Sequence, residues 1–129
     1  AKGAYCQNYD VFISVYRFLV RGLSRTGSSV HMILVSMTDQ DGVFISLDNR
    51  AFLMEKLRES LCSSLRSSDI YTRYSSCQYL VMVSDINEEE AVMIARRISD
   101  VYYGGQENDG SVILRCSYPL KPEDKGWSV

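Results

Sequence analysis

The sequence predicts a mixed α/β (α+β) domain, a mixed β-sheet flanked by helices. Three observations predict it. Stretches with helical periodicity alternate with apolar runs of strand length. Two β-rich runs joined by a short polar link interrupt that alternation as a hairpin. The 129 residues, 46% hydrophobic and 23% charged, have the length and composition of a single globular domain.

Taken in order, the first helix is expected over Asn8 to Arg25, where Val11, Val15, Phe18 and Leu19 recur at helical spacing. Phe12, Tyr16 and Leu23 widen that face. "RTGSS" breaks the pattern, and "VHMILVSM" follows as a continuous apolar run, the mark of a strand covered on both faces. "TDQDG" supplies turn residues. A second helix is predicted from Asp48 to Leu65, because Leu53, Leu57, Leu61 and Leu65 repeat every four residues. "DIYTRY" and "QYLVMVS" form the hairpin. A third helix opens at Asn87 with Glu90 three residues on, a capping-box pattern, and buries Ala91, Ile94, Ala95 and Ile98. "YGGQENDG" reads as a loop, "SVILRCSY" as a last strand, and "PLKPEDKG" as a closing segment. No internal repeat and no low-complexity segment interrupts residues 1–129, which read as one domain.

With 14 Lys and Arg against 16 Asp and Glu, the net charge of -2 does not recruit a polyanion, so no nucleic acid partner is expected. The four cysteines, Cys6, Cys62, Cys77 and Cys116, form no C-x-x-C pair and match no zinc spacing. They read as reduced thiols. The single histidine, His31, lies inside an apolar run and reads as a strand residue rather than a base, so no metal site is expected. No run approaches the roughly 20 apolar residues of a membrane span. No secretory leader precedes the first helix, so the expected location is cytoplasmic, including the cytoplasmic part of a membrane-bound sensor. The chain opens at "AKGAY" without Met and stops at "KGWSV", as expected of a domain excised from a longer protein.

The stretch "LRSSDIYTRYSSCQYLVMVSDINEEEAVMIARRI" resembles the GGDEF (diguanylate cyclase) domain. In that family an R-x-x-D motif precedes a hairpin whose turn reads G-G-[DE]-E-F, and a strand and an "eeA..iAerI" helix follow. Arg66-Ser67-Ser68-Asp69 matches R-x-x-D in type and in distance from the turn, and Arg73-Tyr74 matches the residues leading into it. Glu90-Ala91 and Ala95-Arg96-Arg97-Ile98 match the helix. The resemblance covers Leu53 to Ile98 most strongly, and the family's closing "AD.ALY.AK" helix has no counterpart in the chain. It implies a nucleotide-cyclase-like fold with the hairpin at the former active-site turn.

The departures bear on activity. Active cyclases of the family join two GTP molecules, each held with divalent metal, into cyclic di-GMP. The turn glycines admit the nucleotide to the backbone and the turn acids hold magnesium through hard oxygen ligands. This chain has Ser75, Ser76, Cys77, Gln78 and Tyr79 there. On the first strand, Ser36-Met37-Thr38 stands where the family carries a metal carboxylate, with Asp39 and Asp41 in the turn beyond. "QDGVFISLDN" replaces the guanine-holding segment, with a small deletion, and Asn49 or Asp48 can be read as a remnant of it. A degenerate domain without cyclase activity, bound magnesium or another cofactor is therefore expected. No nucleophile is expected among Ser75, Ser76 and Cys77, because no base stands near them in sequence.

In the family, R-x-x-D is the inhibitory site for cyclic di-GMP. Arg66 offers a planar donor fork for guanine or phosphate, and Asp69 an acceptor for guanine N–H groups. Arg97 matches an arginine that the family recruits from the following helix, with Arg96 beside it and Arg73 as a further contact. The alternative is that Arg66 and Asp69 only cap the second helix and pair with each other. Three functions are thus open: a cyclic di-GMP-binding signalling domain regulating other domains of the same protein, a ligand-free scaffold or homodimerisation module, and a residual enzyme or GTP sensor relying on Asp39 or Asp41 to reach a metal.

Overall fold

The computed structural model of the chain describes residues 5–26, 29–44, 47–104 and 111–120. Chain order is β1 (Tyr5–Cys6), α1 (Tyr9–Thr26), β2 (Val30–Thr38), α2 (Leu47–Ser64), β3 (Ile70–Ser75), β4 (Gln78–Ser84), α3 (Glu88–Tyr103) and β5 (Val112–Pro119). Every element expected from periodicity is present, and β1 is added. The five strands form one sheet in the order β1-β3-β4-β2-β5. Its β1–β3 pair is parallel and its other pairs antiparallel, so the sheet is mixed as predicted.

Side chains alternate across a strand, and β2 uses both faces. Val30 and Met32 pack with Phe12, Tyr16, Val20 and Leu23 of α1. Ile33, Val35 and Met37 pack with Leu53, Leu57 and Leu61 of α2 and with Ala91, Ile94 and Ile98 of α3. The result is three layers, with α1 on one face and α2 and α3 on the other. The apolar face expected for α1 needs correction: Val11 and Phe18 are exposed, Phe18 by 68%. Apolar residues surround much of this helix, so spacing alone does not select the buried stripe, and Phe12, Tyr16, Val20 and Leu23 take it.

The capping box of α3 is fully formed. Glu90 N–H donates to Asn87 Oδ1 at 2.8 Å, and Asn87 N–H donates to Glu90 Oε1 at 3.0 Å. Gly104 ends the helix with φ of 48°, a left-handed cap suited to glycine. The rest of the expected 103–110 loop, and the closing segment beyond Leu120, lie outside the described residues.

Candidate functional site

The turn after α2 folds Asp69 back onto Arg66. Asp69 N–H donates to Arg66 O at 3.0 Å, and Arg66 N–H donates to Asp69 Oδ2 at 2.8 Å. The Arg66 fork closes on the same carboxylate, Nε to Oδ2 at 3.3 Å and Nη2 to Oδ1 at 3.0 Å. Nη2 also reaches Ser84 O at 2.7 Å, tying the end of α2 to the end of β4. Asp69 is fully buried, while the Arg66 side chain stays 47% exposed. The paired carboxylate raises the pKa of the guanidinium, so Arg66 is a fixed cation.

Arg66, Asp69 and Arg97 line one pocket of about 170 Å³ with Ser64, Ile86, Glu90, Met93 and Ile94. Arg97 reaches it across the α2–α3 seam, where its Nη1 donates to Ser64 O at 3.3 Å. The hydroxyl of Ser64 is buried and has no hydrogen-bond partner among the described residues. Its neighbours behave otherwise: Ser60 and Ser63 each donate to the carbonyl four residues earlier, at 3.0 Å. Glu90, Met93, Ile94 and Arg97 follow i, i+3, i+4, i+7 spacing on α3. That spacing, counted back from Arg97, is the signal by which the other α3 pocket residues could have been found from sequence.

Arg96 and Arg73 are not brought to this pocket. Arg96 faces the other flank of α3, beside Val92, Ala95, Arg115 and Ser117, because adjacent helical residues point in different directions. Arg73 folds onto its own hairpin. Its Nε and Nη2 donate to Ser75 O and Ser76 O at 2.8 and 2.9 Å, and its guanidinium lies 5.5 Å from the centre of the Tyr79 ring. Asp69 is placed as the anchor of Arg66 rather than as an open acceptor.

The hairpin turn is closed by its own polar groups. Ser75 Oγ donates to Gln78 Oε1 at 2.8 Å, Gln78 Nε2 donates to Ser36 Oγ at 3.0 Å, and Met37 N–H donates to Cys77 O at 2.9 Å. Cys77 is fully buried, and Tyr79 is buried with its hydroxyl donating to Met54 O at 3.3 Å. Neither Ser76 nor Cys77 adopts a positive φ, so the turn has no need of glycine. Asp39 turns inward on its own loop, accepting from Asp41 N–H at 2.8 Å and Val43 N–H at 3.0 Å. Ser36, Ser75, Cys77 and Gln78, where the resemblance would put metal ligands, offer hydroxyl, thiol and amide groups, a set that does not fit magnesium. Among the described residues no three His, Cys, Asp or Glu side chains converge as metal ligands, and no helix is long and apolar enough to cross a membrane.

No protein-family model and no curated protein matches the chain in sequence. Solved structures do match in shape. A DGC protein from Thermotoga maritima superposes with a TM-score of 0.72 at 18% identity, over 93% of this chain and 88% of that one. The diguanylate cyclase SiaD of Pseudomonas aeruginosa, solved in complex with its activator SiaC, gives a TM-score of 0.76 at 14% identity. That match covers 92% of this chain and 48% of SiaD. The GGDEF domain of TpbB (YfiN) from the same organism gives 0.61 at 16% identity, over 91% of this chain and 76% of that one. Helix and strand order, the hairpin between α2 and α3, and these superpositions agree: the chain has the fold of the diguanylate cyclase, or GGDEF, domain.

Proposed function

We propose that this domain binds cyclic di-GMP in the pocket between α2 and α3 and does not synthesise it. The observation that carries the reading is the convergence of Arg66, Arg97 and the unpartnered Ser64 hydroxyl on one pocket. Arg66 commits Nε and Nη2 within the protein, and its Nη1 makes no hydrogen bond among the described residues. That edge and Arg97 meet guanine or phosphate acceptors, Ser64 supplies a neutral hydrogen bond, and buried Asp69 holds the Arg66 fork in place. A pocket of about 170 Å³ takes one base or phosphate end, with the rest of the dinucleotide lying across the exposed side of α3.

Turnover is a different matter. Phosphoryl transfer depends on positioning and on neutralising the charge of a magnesium triphosphate. Ser36, Cys77 and Gln78 offer no carboxylate for that, and the turn's polar groups already bond one another. Incubation with GTP and Mg²⁺ or Mn²⁺ is expected to yield no cyclic dinucleotide.

A second reading, a ligand-free scaffold, is favoured by one contact. Arg66 already joins Asp69 to Ser84 O, which would stiffen the α2–β4 junction without a ligand. SiaD meets an activator protein, so protein partners, other domains of the same protein or a second copy, belong to either reading. Calorimetric titration of cyclic di-GMP tests the choice. Binding heat is expected with the wild type, and Arg97→Met should weaken affinity by about tenfold, roughly 1.4 kcal/mol. No heat with the wild type, or equal affinity in the variant, rejects the binding site. Light scattering that finds dimers regardless of ligand would then favour the scaffold.

A further inference from the structure

We propose that Cys6 and Cys62 form a reversible dithiol site, closing to a disulfide that staples the N-terminal strand to α2. The site is built around one hydroxyl. Tyr71 lies directly across from Cys6 in the parallel β1–β3 pair, which places both side chains on the sheet face that α2 covers. From above, Cys62 of α2 meets the same residue, its sulfur 3.2 Å from the Tyr71 hydroxyl. Burial raises the pKa of the Cys6 thiol, Tyr71 and Arg58 offset that in part, and Cys62 acts on it as well, so the two thiols share one neighbourhood. Arg58 Nη1 lies 3.6 Å from the Cys62 sulfur, and the Nε of the same arginine donates to the Glu55 carboxylate.

The two thiols differ in access, as an attacking and a resolving cysteine must. Cys6 is exposed and Cys62 half-buried, and both are free. β1 is only two residues long and forms the edge of the sheet, so little pairing resists the movement that brings sulfur to sulfur. The co-reactant is a low-molecular-weight disulfide. The Cys6 thiolate attacks one of its sulfurs, forming a mixed disulfide and expelling one small thiolate. The Cys62 thiolate then attacks the Cys6 sulfur, the protein disulfide forms, and the second small thiolate leaves. The two cysteine protons end on the two small thiols; the protein pair is oxidised and the small disulfide reduced. Cys62 stands four residues before Arg66, so the staple would also restrain the helix end that carries the candidate pocket.

The test incubates the 129-residue chain with oxidised glutathione, blocks remaining thiols by alkylation and maps peptides without reduction. The expected product is a Cys6–Cys62 linked peptide pair, lost on adding dithiothreitol, with a higher thermal midpoint for the oxidised form. Cys62→Ser should abolish the link and leave glutathione on Cys6, whereas Cys116→Ser should leave the link intact. Glutathione on Cys6 and Cys62 separately in the wild type, with no link between them, overturns the proposal. A link from either residue to Cys77 or Cys116 instead overturns it equally.

Discussion

A carboxylate at position 77 would be buried away from solvent. Cys77 is fully buried, its carbonyl accepts from Met37 N–H, and the neighbouring hydroxyls and amide of Ser75, Gln78 and Ser36 are bonded to one another. Cys77→Asp should therefore destabilise the domain by about 3 kcal/mol, the order of cost of taking a charge out of water, read as a lower urea midpoint, and should create no GTP turnover. An unchanged midpoint would mean that the turn opens readily. Glu90 makes the opposite argument at the other site. It lines the pocket with Arg66 and Arg97, where its charge opposes an anionic ligand, while its Oε1 completes the α3 cap. Gln keeps the capping geometry and removes the charge. Glu90→Gln should tighten cyclic di-GMP binding by about two- to fivefold, most visibly at low salt, as expected for a partly screened charge. Weaker binding would show that Glu90 contacts the ligand favourably.

Elements differ in how much of themselves they write locally. The start of α3 is decided within four residues, so the Asn87–Glu90 box was legible in sequence and is formed as read. Asn87→Ala should cost about 1 kcal/mol, measurable as a shift of the urea midpoint with unchanged slope. The hairpin and the α2 leucine repeat are equally local. The two-residue β1 is not: its pairing depends on Ile70 and Tyr71, far along the chain, and no periodicity marks it. The face of α1 also escaped, because the choice of Phe12, Tyr16, Val20 and Leu23 over Val11 and Phe18 is made by how the helix docks on the sheet. The site divides along the same line. Arg66, Asp69 and Arg97 were legible through motif spacing and do share a pocket, but spacing could not show that Asp69 is sealed under Arg66. Nor could it show that Arg73 bonds its own turn carbonyls.

At the scale of the whole molecule, the three layers bury β2 from both sides, and His31 is buried with it. Its Nδ1 has no hydrogen-bond partner among the described residues. Burial pushes the imidazole pKa below its ordinary value, and the charge of Glu88 at the start of α3 opposes that only in part. The consequence for folding has a definite sign. Near and below about pH 6.5 the unfolded chain binds a proton at His31, while the folded protein, with its lowered pKa, resists doing so. The unfolded state then holds more protons, so stability falls as pH drops through the ordinary histidine range and levels off above it. Urea midpoints measured from roughly pH 5 to 7.5 should rise with pH in the wild type. His31→Met should remove that slope, leaving the carboxylates to shape what remains at the acid end. An equal slope in the variant would mean that His31 charges as easily inside the protein as outside, and that the sheet admits water at the one histidine it buries.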